Sequence, residues 1–353
     1  MPLITADTFN SLVETAIENE MSACVLTAVV ENPFGYGRII RDADGSVSGI
    51  VEQRDATEEQ KLICEVNTSI YCFKIPELLD ALTKVNSNNA QGELYLTDTL
   101  GILRSAGKKV GACIAKDVTE AMGINDRVQL SEAERVMRRR INERIMREGV
   151  TLIDPDSTYI EPDVTVGNDT VIYPGTYLAG KTVIGNNCVL RGNNFIDNSV
   201  IGNGVQICGA VINGAKIGDN TTVGPYAFIR PESEIGANVR VGDFVEIKKS
   251  VIGDNTKVSH LTYVGDAEVG KNVNLGCGTV FANYDGEKKH RTTVGDNAFI
   301  GCNSNLVAPL EVGENAFVAA GSTVTENVEA NDLCIARSRQ TVKKGWVLEN
   351  KKR

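Results

Sequence analysis

The chain has 353 residues, of which 42% are hydrophobic and 23% charged, and its formal net charge is −10 at pH 7. This composition indicates a soluble globular protein of two or three domains, and the negative charge argues against nucleic acid as a partner. No apolar run reaches the roughly 18 residues of a membrane span, and the N-terminal sequence MPLITADTFNSL has no signal-peptide pattern. We therefore expect a cytoplasmic protein without a membrane partner. Its nine cysteines, odd in number and without a C-x-x-C pair, are then expected to be reduced thiols.

The first part of the chain mixes strand-like and helix-like segments. Short runs rich in Val, Ile and Ala predict strands, and helical apolar spacing predicts helices. The strand segments are 22–30 and 110–115, and the helical segments are 5–19 and 77–87. Two further strands around the turn at Asp44-Gly45 predict a hairpin over 37–55. This alternation predicts an α/β unit with a largely parallel sheet.

A long helix is predicted over residues 125–149. Asn125 or Asp126 is suited to the N-cap and Gly149 to the position after the last turn. The three arginines at 138–140 are either an anion-binding site or a solvated face of this helix.

From residue 164 onward an internal repeat dominates the sequence. The repeated apolar–Gly pairs are Val166-Gly167, Ile184-Gly185, Ile201-Gly202, Ile217-Gly218, Ile235-Gly236, Ile252-Gly253, Val269-Gly270, Val294-Gly295 and Val312-Gly313. Most steps between pairs are 16–18 residues, close to three hexapeptides, which is one coil of a three-sided parallel β-helix. We expect about ten coils, with aliphatic residues stacked inside. The glycines and asparagines are expected at corners, where positive φ costs them little.

One step of the repeat, from Val269 to Val294, is 25 residues long. The excess lies around 281–290, and an insertion in a β-helix must leave the column as a loop. Both histidines of the chain, His260 and His290, lie near this interruption. The sequence therefore predicts a binding site there.

The segments HLTYVGD, VNLGCGT and NYDG, together with GYGRIIRD, GIVEQRDAT, NNAQGELYLTD and GINDRVQLSEAERVMRRR, resemble a known bacterial family. It is the bifunctional N-acetylglucosamine-1-phosphate uridyltransferase and glucosamine-1-phosphate N-acetyltransferase family. The resemblance implies an incomplete, Rossmann-like α/β uridyltransferase domain at 1–127, a linker helix at 128–148, and a left-handed parallel β-helix acetyltransferase domain of hexapeptide repeats at 149–353. It also implies a homotrimer acting in UDP-N-acetylglucosamine biosynthesis.

For the uridyltransferase the resemblance implies that Gly37, Glu52, Asn67 and Asn125 line the UDP-N-acetylglucosamine pocket, and that Asn125 ligates Mg²⁺. The family's Gly-rich phosphate loop and its lysine do not occur in this sequence, and about the first hundred residues of the family's domain are missing from it. A truncated product and a late start assignment both explain this difference. We expect the uridyltransferase activity to be lost, because uridylyl transfer depends on neutralising the phosphates.

For the acetyltransferase the resemblance implies that His260 is the general base, a role suited to an imidazole near neutral pH. Arg230, Lys248 and Lys289 match the positions that bind the phosphate of glucosamine 1-phosphate. Tyr263 and Asn274 match further substrate contacts. His290 is assigned no chemistry.

The resemblance also implies a set of positions for acetyl-CoA. They are Cys277, Asn283, Tyr284, Cys302, Ala320 and Arg337. This sequence departs from the family at two of them, with Cys277 in place of the usual Ala and Cys302 where Ser is common. The two thiols leave two routes open, a covalent acetyl-cysteine or direct attack of the amine on the thioester, and direct attack is preferred.

Two functions other than acetyl transfer are known for such a β-helix. A γ-class carbonic anhydrase needs three zinc-binding histidines, and the chain has two. A non-catalytic β-helix that serves assembly or regulation remains the alternative. It requires neither His260 nor Tyr263, and it would bind no CoA.

Overall fold

The protein is described here from a computed structural model, in which residues 1–350 are described. The chain divides into two compact units, Met1–Met137 and Arg138–Arg353. Each unit is built on its own sheet system.

The first unit contains a five-stranded sheet with helices packed on it. Its elements are α1 (Ala6–Glu18), β1 (Ala23–Val29), β2 (Arg38–Arg41), β3 (Val47–Val51), β4 (Glu65–Phe73), α2 (Ile75–Leu82), α3 (Asp98–Ser105) and β5 (Val110–Ile114), with short 3₁₀ turns at Gln60–Leu62 and Val118–Ala121. The strand order is β3-β2-β4-β1-β5. Leu12 and Ala16 of α1 pack on Cys24 and Leu26, and Leu100 of α3 lies in the core of the other face.

The prediction of a largely parallel sheet is wrong, because the sheet is mixed. Only β1 and β5 pair in parallel, whereas β1–β4, β2–β3 and β2–β4 are antiparallel. A parallel pair needs a crossover of a dozen or more residues, usually a helix. The chain has α2 and α3 between β4 and β5, but it returns from β3 to β4 without an α-helix. The hairpin itself is confirmed: Ile39 pairs with Ile50, and Gly45 has φ +83° in the turn.

Helix α4 (Arg127–Arg147) follows and confirms the long helix. Asp126 is its N-cap rather than Asn125, because its carboxylate accepts the backbone N–H of Gln129 at 2.8 Å. Gly149, with φ +94°, ends it as predicted.

The second unit is a parallel β-helix with three faces. The first face has eleven strands: Thr151–Leu152, Val171–Ile172, Val189–Arg191, Gln206–Cys208, Thr222–Val223, Arg240–Asp243, Lys257–His260, Asn274–Leu275, Phe299–Ile300, Phe317–Val318 and Leu333–Cys334. The second face has ten strands: Tyr159–Ile160, Tyr177–Ala179, Phe195–Asp197, Val211–Asn213, Phe228–Ile229, Glu246–Lys248, Tyr263–Gly265, Val280–Ala282, Asn305–Val307 and Thr323–Val324. The third face has nine strands: Thr165–Val166, Val183–Ile184, Val200–Ile201, Lys216–Ile217, Glu234–Ile235, Val251–Ile252, Ala267–Val269, Thr292–Val294 and Leu310–Val312. A 3₁₀ turn at Pro155–Ser157 and helix α5 (Trp346–Asn350) complete the unit.

Stacked aliphatic side chains form the interior of the β-helix, as the repeat predicts. Ile184, Ile201, Ile217, Ile235 and Ile252 pair in register on successive coils and are at most 3% exposed. Because each coil covers only its neighbours, the core is continuous along the column.

The asparagines and the glycines at the corners of the coils differ in backbone conformation. The asparagines have positive φ as predicted, between 55° and 68°, at Asn187, Asn220, Asn238, Asn255, Asn272, Asn297, Asn315 and Asn331. The glycines of the apolar–Gly pairs do not have positive φ, so the conformational reason given for them is wrong. Their reason is steric: a Cβ on Gly253 would lie 2.5 Å from the carbonyl carbon of Gly270 on the next coil. Glycine here allows two backbones to approach closely.

The predicted loop leaves the column two residues later than the sequence indicated. Phe281 stays in the core with no exposed surface, and residues 283–291 form the excursion between Val280–Ala282 and Thr292–Val294. Tyr284 and Lys289 are paired across its base by an antiparallel bridge.

Candidate functional site

His260 ends its strand on the first face and has a carboxylate partner. Its Nδ1 lies 2.5 Å from Oδ1 of Asp243, which occupies the same position on the preceding coil. The hydrogen bond with His260 is the main reason why the pKa of Asp243 lies below its usual value. The side chain of His260 is 51% exposed, so the ring is open to a ligand.

The corner after His260 fixes where this side chain lies. Leu261 has φ +44°, and the hydroxyl of Thr262 donates to the carbonyl oxygen of His260 at 2.7 Å. The chain then enters the second face at Tyr263. His260 therefore lies at the edge where the first and second faces meet.

Three of the positions expected to contact acetyl-CoA continue the column of His260. Asn274, Phe299 and Phe317 pair in register on successive strands, and Cys277, Cys302 and Ala320 each follow three residues later. Backbone bonds join the same corner, from Asn303 N–H to the carbonyl of Cys277 and from Gly321 N–H to that of Cys302. Arg337 is exposed, with its Cδ 3.6 Å from where a Cβ on Gly321 would be. The structure thus brings Cys277, Cys302, Ala320 and Arg337 to one edge.

A cation cluster lies at the other edge of the second face. Arg230 and Lys248 follow one another on adjacent coils, and Lys289 reaches Lys248 from the loop. A hydrogen bond with Lys248 and the charge of Lys248 lower the pKa of Lys289. The same hydrogen bond, together with the charge of Asp266, raises the pKa of Lys248. Arg230 also lowers the pKa of Lys289 and pairs with Glu246 at 2.8 Å. Three cations facing one place are suited to a phosphate.

Asp266 joins this cluster to Tyr263 and Asn283. Its Oδ2 accepts a hydrogen bond from Nδ2 of Asn283 at 2.5 Å and lies 3.4 Å from Nζ of Lys248. Gly265 leaves the space for them, because a Cβ there would lie 2.7 Å from Nδ2 of Asn283 and closer still to the hydroxyl of Tyr263. Asn283, which the resemblance assigns to acetyl-CoA, therefore lies beside Tyr263 and near Lys248, two positions that the resemblance assigns to the other substrate.

The loop is held by His290. Its Nε2 lies 2.5 Å from Oδ2 of Asp285, whose Oδ1 accepts the backbone N–H groups of Glu287 and Lys288. These bonds, with the Lys288 N–H first, hold the pKa of Asp285 well below its usual range. Tyr284 is 61% exposed and its hydroxyl donates to the carbonyl of Gly286. His290 thus shapes the loop that carries Lys289.

Asn274 lies on the first face, as His260 does, but at another position along its strand. It pairs with Lys257, three positions before His260 on the same face. Asp243 and Asp266 were missed by the sequence reasoning. The signal for Asp243 was its spacing, since it precedes His260 by 17 residues, one coil of the repeat.

In the first unit, Gly37, Glu52 and Asn67 lie together. A Cβ on Gly37 would be 3.2 Å from the Glu52 carboxylate, and the Gly37 carbonyl accepts the N–H of Asn67 at 2.8 Å. Burial raises the pKa of Glu52, and burial raises the pKa of Tyr71, which donates to Asn67, to about 12. These groups form a polar cluster in which Gly37 and Asn67 are buried and Glu52 and Tyr71 half-buried.

Asn125 is exposed just before α4, and its backbone N–H donates to Oε1 of Gln129 at 2.6 Å. No hydrogen bond among residues 1–350 joins Asn125 to Gly37, Glu52 or Asn67. In the same part of the chain no group of three or more His, Cys, Asp or Glu side chains is arranged to hold a metal ion. One amide oxygen is a poor ligand set for Mg²⁺, so the residues present do not fit that ion.

The repeats and the whole chain both match known proteins. The bacterial transferase hexapeptide family (six repeats) matches residues 163–198, 214–249 and 291–326. The Bifunctional protein GlmU of Clostridioides difficile is 55% identical over 346 residues, which cover 98% of this chain and 75% of that protein. The chain belongs to the GlmU family. The GlmU proteins of Clostridium novyi and Acetivibrio thermocellus are each 57% identical, over 98% and 99% of this chain and 76% of their own length.

Two further findings concern the cysteines and the helices. All nine cysteines are free thiols, as expected from their number and spacing. Among the helices of the described residues, none has the length and apolar character needed to span a membrane.

Proposed function

We propose that the β-helix unit transfers the acetyl group of acetyl-CoA to the amine of glucosamine 1-phosphate, giving N-acetylglucosamine 1-phosphate for UDP-N-acetylglucosamine synthesis. Membership of the GlmU family and the hexapeptide transferase match support this activity. The observation that carries it is the arrangement of the second face, with His260 at one edge and the cluster of Arg230, Lys248 and Lys289 at the other.

In the proposed reaction the amine attacks the thioester carbonyl carbon directly. The C–N bond forms, the C–S bond breaks, and the electron pair of that bond leaves with the CoA sulfur. His260 accepts the proton that the amine loses, and this proton then passes to the CoA thiolate, so the products are the amide and free CoA thiol. Direct attack needs no covalent acetyl-cysteine on Cys277 or Cys302.

The cation cluster binds the phosphate of the substrate in this proposal. The hydrogen bond with Lys248 and the charge of Lys248 lower the pKa of Lys289, and a phosphate bound between the two amines offsets that repulsion and raises the pKa of Lys289. Tyr263 and Asn283, held by Asp266, present a hydroxyl and an amide to the sugar. The column of Cys277, Cys302 and Ala320, with Arg337 beside it, is the proposed place of acetyl-CoA.

A homotrimer is part of the proposal. Asn274, which the resemblance assigns to the substrate, pairs with Lys257, which lies three residues, roughly 10 Å, before His260 on the same strand. A site completed by a neighbouring subunit accounts for this separation, and Tyr284 and Arg337 are exposed enough to contact such a neighbour. Reduced thiols support a cytoplasmic setting. Sedimentation of the full chain tests the trimer, and a monomer that turns over would contradict it.

Uridylyl transfer is not proposed for this chain. Gly37, Glu52 and Asn67 lie together, but the described residues supply no ligand set suited to Mg²⁺. The cation beside them, Arg38, is buried, and its guanidinium is held by the Tyr36 carbonyl and the Gln53 side chain, so it does not neutralise a triphosphate as the reaction requires. Pyrophosphate release from UTP and N-acetylglucosamine 1-phosphate should stay at background.

The test of the acetyltransferase is release of free CoA thiol from acetyl-CoA and glucosamine 1-phosphate. The wild-type chain is compared with His260→Ala, and the signal is corrected for the nine protein thiols. We expect turnover in the wild type and a loss of roughly 10²–10⁴-fold in the variant, the usual contribution of a general base. No turnover by a folded wild-type chain would favour the non-catalytic β-helix.

A further inference from the structure

The contact between His260 and Asp243 has a chemical consequence for the reaction. A neutral imidazole carries one N–H, and the nitrogen without it is the base. Carboxylates accept hydrogen bonds and, when ionised, donate none. Because the pKa of Asp243 lies below its usual value, its carboxylate is ionised near neutral pH and can only accept.

We infer that Asp243 is a positioning residue that fixes His260 as the Nδ1–H tautomer, leaving Nε2 as the nitrogen that takes the proton from the substrate amine. This inference rests on the proposed function. Nδ1 of His260 is the nitrogen that faces Asp243, at 2.5 Å. The N–H must therefore lie on Nδ1, and Nε2 keeps its lone pair for the substrate.

The register of the β-helix makes this arrangement rigid. Asp243 and His260 end neighbouring parallel strands, and their Cα atoms are paired directly across the ladder. The N–H of Leu261 also donates to the carbonyl of Asp243, at 3.0 Å. The corner thus holds the two side chains side by side before any ligand arrives, which is what a positioned base requires.

The charge of Asp243 also acts on the second half of the proton transfer. Once Nε2 has taken a proton, the imidazolium is cationic, and the adjacent carboxylate stabilises it. Arg240, at the start of the same strand as Asp243, is the other charged group that contributes to the low pKa of Asp243. Its effect on that pKa is smaller than that of the hydrogen bond with His260.

The chain offers an unusually direct spectroscopic test, because it has only two histidines. In ¹⁵N-histidine-labelled full chain at alkaline pH, where both rings are neutral, His260 should give a pyrrole-type Nδ1 and a pyridine-type Nε2. His290 is the internal control of opposite type, since its Nε2 is the nitrogen that faces Asp285. In Asp243→Ala the ring of His260 should exchange between its two tautomers, so that its ¹⁵N shifts become population-weighted averages. The shifts of His290 should stay unchanged.

Kinetics on the same proteins separate positioning from binding. In Asp243→Ala we expect kcat to fall roughly tenfold to hundredfold, part of the 10²–10⁴ that a general base supplies, with KM for both substrates unchanged. Asp243→Asn keeps the shape but loses the charge, and its amide can present either an acceptor or a donor to Nδ1. The kcat of Asp243→Asn should lie between those of the wild type and Asp243→Ala, in proportion to the measured population of its Nδ1–H tautomer. It also keeps the test valid if the alanine variant folds poorly.

Each outcome decides the inference. A wild-type His260 with its proton on Nε2 would overturn it, and so would a tautomer that changes in Asp243→Ala while kcat does not. An inactive wild type with the proton on Nδ1 would overturn the proposed function, and with it the role of Asp243 in that reaction. The predicted tautomer, its loss on substitution and a matching fall in kcat would support both.

Discussion

The steric role of the hexapeptide glycines gives a quantitative prediction at Gly253. In Gly253→Ala the new Cβ would lie 2.5 Å from the carbonyl carbon of Gly270, 2.6 Å from its oxygen and 2.7 Å from the nitrogen of Lys271. Carbon atoms in contact prefer about 3.5–4.0 Å, so the two coils must separate by about 1 Å. All three atoms belong to backbone and cannot rotate away as a side-chain end could.

The cost follows from what holds these coils together. The N–H of Gly253 bonds to the carbonyl of Val269 at 2.7 Å, and the N–H of Asn272 bonds to the carbonyl of Asp254 at 2.9 Å. Overpacking costs about 1–3 kcal/mol, and weakening two ladder bonds adds about 1 kcal/mol each. We expect a loss of about 4 kcal/mol, which lowers the Tm by roughly 8–16 °C for a unit of this size.

Gly209→Ala is the matched control in the same β-helix. Gly209 has φ +53° but no atom within 4 Å of the position of a Cβ, so its cost is the conformational one, about 1 kcal/mol, or roughly 2–4 °C. Calorimetry and circular dichroism of the three proteins give the comparison. Equal Tm losses in the two variants would refute the steric explanation, and a larger loss in Gly209→Ala would favour the conformational one.

The remaining predictions concern the site and the core. Lys248→Ala should raise KM for glucosamine 1-phosphate about tenfold or more, since a charge-assisted bond is worth about 1.5–3 kcal/mol. Lys216→Ala on the third face is the control and should leave this KM unchanged, so equal effects would contradict the phosphate assignment. Gly265→Ala should raise the same KM with little change in Tm, because it displaces the ends of side chains, and an unchanged KM would count against that cradle. Phe281→Ala should cost about 3–5 kcal/mol in urea unfolding, and the exposed neighbour Val280→Ala much less; similar losses would place Phe281 outside the core.

The β-helix could be predicted from sequence because each hexapeptide places one aliphatic side chain inward, and this local rule repeats without reference to distant residues. The insertion near 283–291 was visible for the same reason, as a step that broke the rule. Strand direction in the first unit was not predictable from its apolar runs, since β4 looks the same whether it returns parallel or antiparallel. The partnership of Asp243 with His260 required the register between coils, and the role of Gly253 required knowing which atoms lie above it.

The column that runs from Asp243 through His260, Cys277 and Cys302 to Ala320 sets a length scale along the molecule. Neighbouring parallel strands are about 4.8 Å apart, so the β-helix divides its edge into equal steps. From His260 to Ala320 there are three such steps, about 14 Å. A loop insertion between coils leaves this distance unchanged, whereas gain or loss of a whole coil changes it by one step. The number of coils between His260 and Ala320 therefore sets the length of an extended ligand that can contact both residues.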